Sequence, residues 1–325
     1  MNHPYDSLTP DCVVDCLESI GFVCDLRLLA LNSYENRVYQ VGVEGAQPII
    51  MKFYRHGRWT DAQILEEHSF AQELVDHEIS VVAPMRVNDK TLHHAHGQRF
   101  SVFERRGGYP PELDNPDHLY RLGQTLGRIH RIGRAKPFLH RRDISSKRMA
   151  TESRVFLEEQ AVPRELMNAY STLAKDCEQT AASLLSTITK RDMQRVHGDC
   201  HTGNILWRDD TPHFVDLDDC VSGPAIQDIW MFLSGDRFQQ ERQLSEFVSG
   251  YDEFHEFDPR QLAWIEALRT LRIMHHAFWL ASRWDDPAFP RAFPWFGQAR
   301  FWSDHILELR EQLGVMQEPT LRLSP

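Results

Sequence analysis

His197-Gly198-Asp199-Cys200-His201-Thr202-Gly203-Asn204, followed by Phe214-Val215-Asp216-Leu217-Asp218-Asp219, is the stretch whose reading decides the fold. Asp199 ends a short apolar run and enters a polar loop, and Asn204 leaves that loop five residues later. Two apolar runs, 205–207 and 213–217, flank Arg208-Asp209-Asp210-Thr211-Pro212, a composition that makes a turn. A hairpin of this length carries Asp216 back beside Asn204, so three oxygen-bearing side chains converge. Carboxylate and amide oxygens are the hard ligands that Mg²⁺ takes, with phosphates completing its shell. Asn204 and Asp216 are therefore the metal-ligand candidates, and Asp199 remains to accept a proton from an attacking hydroxyl. An isolated His-x-Asp reads equally well as a polar loop with a capping acid. The full spacing, with a second acidic cluster behind a hairpin, separates the two readings.

Working outward, the first third is strand-rich. Thr9-Pro10 opens an apolar helical pattern that closes at Gly21, with an N-cap, a proline at the first turn and a glycine past the end. Between Cys24 and Tyr54, short apolar runs broken by Asn-Ser and Gly-Ala predict strands joined by turns. Thr60 and Gln63 form a capping-box pair for a helix to about His77. Two further strands are expected, at 91–94 and 99–104. Arg105-Arg106-Gly107-Gly108-Tyr109-Pro110-Pro111 is the best linker in the chain. Beyond it the pattern is mostly helical: 116–132, 241–251, 259–283 and 298–313, with the strand-rich island 194–217 embedded. The expected organisation is a small lobe (1–104), a linker (105–115) and a larger helical lobe (116–325).

The His197–Asn204 string and the later acidic run together resemble the catalytic motif HxDxxxxN and the following metal-binding Asp of the aminoglycoside phosphotransferase and choline kinase superfamily. Ser33-Tyr34-Glu35-Asn36-Arg37-Val38-Tyr39, Ile64-Leu65-Glu66-Glu67-His68 and the late Arg283–Trp295 stretch extend the resemblance over nearly the whole chain. They bring it close to a bacterial serine/threonine-kinase branch linked to stress responses. The resemblance implies an α+β, two-lobed, protein-kinase-like fold: an antiparallel sheet with helices, then a mostly helical lobe. It implies phosphoryl transfer from ATP with Mg²⁺ to Ser/Thr hydroxyls of proteins, the protein itself included. A small-molecule acceptor (an amino alcohol, a sugar or an aminoglycoside) is the alternative. Asp199 and Asp216 carry over as the catalytic acids, with Asn204 and Asp216 as the metal ligands.

The same resemblance calls for a phosphate-anchoring lysine. Lys52, inside Ile49-Ile50-Met51-Lys52-Phe53, matches it, although a lysine in an apolar strand is also what an edge strand shows to water. Such a lysine needs an orienting carboxylate from the next helix, which offers Glu66 and Glu67. Only one of two adjacent helical positions faces a given side. Glu67 shares its side with Ile64, Phe70, Ala71 and Leu74, and is the expected partner. No Gly-x-Gly-x-x-Gly is present. In its place 31–37 forms a turn, where Ser33 is the expected nucleotide contact, or closes a simple hairpin. Asp228 matches an Asp that kinase-like folds use to brace the catalytic loop.

The 325-residue chain is 42% hydrophobic and 26% charged, the profile of a globular protein, and its net charge of −11 argues against nucleic acid as a partner. No run of roughly 18 apolar residues predicts a membrane span. The six cysteines form no CxxC pair, which fits a reducing cytoplasm. A monomer is expected. An inactive kinase-like scaffold and a metal-dependent hydrolase are the competing classes. The first is disfavoured by the presence of Lys52, Asp199, Asn204 and Asp216 together. The second predicts ATP consumption with no labelled acceptor.

Overall fold

Thr9 accepts the backbone N–H of Cys12 at 3.2 Å, so helix α1 (Pro10–Glu18) starts where a capping threonine followed by proline requires. The computed structural model describes residues 4–323. By packing, these form two units: 4–142, 195–222 and 246–256 in the first, and 143–194, 223–245 and 257–323 in the second. The linker expected at 105–115 lies inside the first unit, where Tyr109 exchanges two backbone hydrogen bonds with Trp207.

The first unit is built on an antiparallel sheet of five strands in the order β1-β2-β3-β5-β4. These are β1 (Cys24–Ala30), β2 (Arg37–Val43), β3 (Ile49–Phe53), β4 (His93–Ala95) and β5 (Gln98–Glu104). Strand β3 is central and alternates. Ile49, Met51 and Phe53 enter a core with Val13, Cys16 and Leu17 of α1 and with Phe100 and Val102 of β5. Lys52 must then point to the opposite face. It pairs in register with Val38 and Ser101 and is only 6% exposed, which excludes the edge-strand reading.

Helix α2 (Asp61–Asp76) begins with the expected reciprocal capping box of Thr60 and Gln63. It meets the Lys52 face through Tyr54, whose hydroxyl lies 2.8 Å from His68 Nε2. Helix α3 (Pro116–Arg134), capped by Asn115, packs against residues 247–254 at glycine distance. A Cβ on Gly123 would lie 2.0 Å from the Phe247 carbonyl oxygen.

The embedded island comprises β6 (Gln194–Val196), β7 (Ile205–Arg208), β8 (Thr211–Phe214) and β9 (Val221–Gly223). The β7–β8 hairpin is tighter than the five-residue turn expected from composition. Asp209 and Asp210, at φ 50° and 54°, make the whole connection, as a two-residue hairpin with left-handed residues does. Thr211 and Pro212 are already in β8. A proline is tolerated there because the ribbon has only two strands, so its missing N–H costs no further ladder bond.

The second unit is helical. A π-helical turn (Lys147–Glu152) leads into α4 (Ser153–Gln160), followed by α5 (Met167–Leu185) and α6 (Ile226–Ile229). Helices α7 (Arg237–Tyr251), α8 (Ile265–Ser282), α9 (Ala288–Ala292) and α10 (Ala299–Val315) complete it, α7 passing into the first unit at residue 246. Helix α8 packs against α4, α5 and α10. The helix expected over 259–283 is divided, with Asp258 capping a 3₁₀ turn (Pro259–Trp264) ahead of α8. No helix among the described residues is long and apolar enough to cross a membrane.

Candidate active site

Ser33, Lys52, Glu67, Asp199, Asn204 and Asp216 all lie in the first unit, whereas Asp228, expected to brace the loop, lies in the second. The Lys52 ammonium sits 2.6 Å from Asp216 Oδ1 and 3.5 Å from Asp218 Oδ1, over the Tyr54 ring at 5.6 Å. Burial pulls the ammonium pKa down, but Asp216, Asp218 and Glu67 outweigh it and hold it well above its ordinary value. Lys52 is therefore a permanent cation at neutral pH.

Asp216 adopts φ 60°, ψ 59°, a left-handed conformation that few non-glycine residues take. Strain of this kind gathers at functional positions. The conformation starts the 3₁₀ turn Leu217–Asp219, which sends two carboxylates in different directions. The Asp216 side chain is 51% exposed and that of Asp218 3%.

Asp218 accepts from Asn36 Nδ2 at 3.0 Å and pairs with Arg58 Nη1, while Arg58 Nη2 lies 2.5 Å from Asp219 Oδ1. Arg141 donates Nε to the Cys220 carbonyl at 2.8 Å and Nη2 to that of Asp218. Burial pushes the Asp218 carboxyl up, but Arg58, Lys52 and Arg141 hold it well below the usual carboxylate range. Asp219 is shifted the other way, by burial and by its neighbours Asp218 and Asp199, against the pull of Arg58.

The 197–204 loop is fastened to this turn. His197 Nε2 donates to the Val215 carbonyl at 2.9 Å, and Val215 N–H donates to the Asn204 carbonyl at 3.0 Å. Asn204 Nδ2 donates to the Asp199 carbonyl at 2.9 Å, which fixes the amide and leaves its oxygen as a metal donor. Gly198, at φ 86°, permits the approach, since a Cβ there would lie 2.2 Å from the Asp219 carbonyl oxygen. The structure thus brings together Lys52, Asp199, Asn204 and Asp216.

The other two expected residues stand differently. Ser33 donates to the Asn36 carbonyl at 3.2 Å, and Asn36 in turn donates to Asp218 of the cluster. Glu67 is buried on the cluster side of α2, yet the close partners of Lys52 are Asp216 and Asp218. Its neighbour Glu66 faces away and accepts the backbone N–H groups of Leu139, His140 and Arg141 at 2.5, 2.7 and 2.7 Å.

Burial raises the Glu67 carboxyl from 4.5 to about 7, against Lys52 and with Asp218. The folded protein then holds this proton more tightly than the unfolded chain. The resulting stabilisation is complete below the unfolded value and is lost as pH rises through about 7. Thermal melts of wild type should fall across that window, and those of Glu67→Gln should fall less. Parallel pH profiles for the two would contradict the assignment.

Asn204 and Asp216 supply one amide and one carboxylate oxygen. Among the described residues no three His, Cys, Asp or Glu side chains cluster as a closed metal cage. Two oxygen donors beside a lysine suit Mg²⁺, which keeps waters and completes its shell with phosphate oxygens.

Sequence reasoning missed Arg58, Arg141 and the tie from Asn36 to Asp218. The only local signal was the Gly57-Arg58-Trp59 corner after β3, which resembles any loop.

Residues 27–265 match the family model described as phosphotransferase enzyme family. The chain is 43% identical over 321 residues to stress response kinase A of Escherichia coli K12, covering 99% of this chain and 97% of that protein. It is 42% identical over 326 residues, with the same coverage, to the serine/threonine protein kinase RdoA of Salmonella typhimurium LT2. Among solved structures, an amicoumacin kinase in complex with AMP-PNP, Ca²⁺ and Ami superposes with a TM-score of 0.75 at 21% identity, covering 97% of this chain and 95% of that one.

Proposed function

The chain belongs to the phosphotransferase enzyme family, and on that premise we propose that it transfers the γ-phosphoryl group of Mg-ATP to serine or threonine hydroxyls of proteins. The observation that carries this reading is the buried Lys52 ammonium held against Asp216, in the same cluster as Asn204 and Asp199. One place then offers a cation for phosphate oxygens, hard oxygen donors for a metal, and a carboxylate for a proton. The protein acceptor follows the serine/threonine kinase among the full-length relatives, and a stress-response role follows the name of the others.

Lys52 exchanges its contact with Asp216 for α- and β-phosphate oxygens, and Glu67 keeps the ammonium oriented from α2. Ser33, at the turn between β1 and β2, donates its hydroxyl to the nucleotide. Asn204 and Asp216 would hold Mg²⁺, which would supply positive charge to neutralise the phosphoryl oxygens. Asp199 orients the acceptor hydroxyl and takes its proton as the new O–P bond forms and the bond to the departing ADP oxygen breaks. Positioning and electrostatics supply most of the rate.

The test is acceptor choice. Purified protein is given labelled ATP and Mg²⁺ with a generic protein substrate, alone, or with a panel of amino alcohols, sugars and aminoglycosides. Label on serine or threonine, in the substrate or in the protein itself, is the expected result. Turnover stimulated only by a small alcohol would move the reading to small-molecule phosphorylation at the same site.

A further inference from the structure

We propose that His201 is a positioning residue for this transfer, holding the Asp199 carboxylate with Nε2 while its Nδ1 caps the turn that presents Asn204. The assignment rests on the phosphotransfer reading above.

His201 stands at the head of the 3₁₀ turn Thr202–Asn204, with extended backbone at φ −107°, ψ 167°, and its Nδ1 accepts the Gly203 N–H at 3.0 Å. A ring nitrogen that accepts an N–H carries the lone pair. In the neutral ring the proton is therefore on Nε2. Nε2 lies 3.5 Å from Asp199 Oδ2, so the one N–H of the ring is on the nitrogen beside the carboxylate of the base. Catalytic hydrogen bonds are often this long before substrate tightens them.

The backbone repeats the connection. His201 N–H donates to the Asp199 carbonyl at 3.0 Å, and Asn204 N–H donates to the His201 carbonyl at 2.9 Å. Base, His201 and metal ligand thus form one braced loop.

Two features set this apart from a simple cap. The His201 ring is 41% exposed, so core packing does not call for an imidazole. Serine, asparagine and aspartate are the usual capping residues, and any of them satisfies the Gly203 N–H. None places an N–H donor where Nε2 stands beside Asp199. The seat itself is made by glycine: a Cβ at position 203 would lie 2.7 Å from His201 Cε1 and 2.9 Å from Nδ1. A donor on the carboxylate fixes its rotation, so the base meets the acceptor hydroxyl in one orientation.

Two substitutions separate the two nitrogens. In His201→Asn the side-chain oxygen takes the place of Nδ1, so the cap stays and the donor to Asp199 is lost. In His201→Gln the amide nitrogen takes the place of Nε2, so the donor stays and the cap is lost. Labelled phosphotransfer, KM for ATP and melting temperature are measured for both and for wild type. The expected result is that Asn keeps the melting temperature and KM while kcat falls about 10- to 100-fold, the loss of a hydrogen bond to a charged group. Gln should melt slightly lower yet keep kcat within a few-fold of wild type. Wild-type kcat in Asn, or a Gln variant no faster than Asn, overturns the assignment and leaves the phosphotransfer reading intact. Absence of label transfer by wild type to any acceptor overturns that reading, and this one with it.

Discussion

Asp216→Ala should lower kcat for phosphotransfer by roughly 10²–10³-fold or more, with a melting temperature close to wild type. The proposed metal loses its only carboxylate ligand, and Asn204 alone offers a neutral amide oxygen. Lys52, relieved of its 2.6 Å partner, still has Asp218 at 3.5 Å, so no buried cation is stranded. The Asp216 side chain is half exposed, and ion pairs with exposed members contribute within about 1 kcal/mol to stability. The left-handed backbone at φ 60° suits alanine less well than aspartate, whose short polar side chain tolerates it, and this adds at most about 1–2 kcal/mol. Parallel losses of activity and stability would mean that Asp216 is an ordinary structural acid.

Asp218→Ala, two residues on, should behave in the opposite order. Its carboxylate is buried and receives Arg58 and Asn36, with Lys52 and Arg141 close by. Truncation leaves cationic groups without their acceptor in a desolvated place. Removing one member of a buried ion pair costs about 3–5 kcal/mol. With an unfolding entropy of about 2.1 cal/mol/K per residue over 325 residues, each kcal/mol is worth roughly 1.5 °C, so the melting temperature falls by roughly 4–8 °C. The measurement belongs at neutral pH. A carboxyl held below its ordinary value contributes stability above the unfolded pKa, near 3.8, and loses it only as pH falls through the folded value. A melting temperature unchanged in Asp218→Ala would show that Arg58 and Lys52 find water instead.

These opposite expectations mark what could be read from sequence. The spacing from His197 to Asp219 made the loop, hairpin and acidic turn legible, because each contact there spans few residues and each turn residue has a local reason. Alternation in Ile49–Phe53 made the direction of Lys52 a matter of which face holds the core, and the capping box at Thr60 located α2. The partners of Asp218 were not legible. Arg58 lies 160 residues away and Asn36 182, and periodicity carries no information over such separations. For the same reason the sequence offered Glu67, on the next helix, to orient Lys52 and did not show that Asp216, 164 residues on, lies closest to it. The tightness of the β7–β8 hairpin was hidden by Pro212, whose composition signal belongs to turns although a two-stranded ribbon accepts it.

The central claim is that this cluster moves a phosphoryl group to a protein hydroxyl with Asp199 as base. Transfer of labelled γ-phosphate from Mg-ATP to a protein substrate, compared between wild type and an Asp199→Ala variant of matched melting temperature, tests it most directly. Label on serine or threonine with wild type, reduced about 10²–10⁴-fold in the variant, is the predicted result. Equal labelling by both proteins, or ATP consumption by wild type with phosphate released and no acceptor labelled, would contradict it.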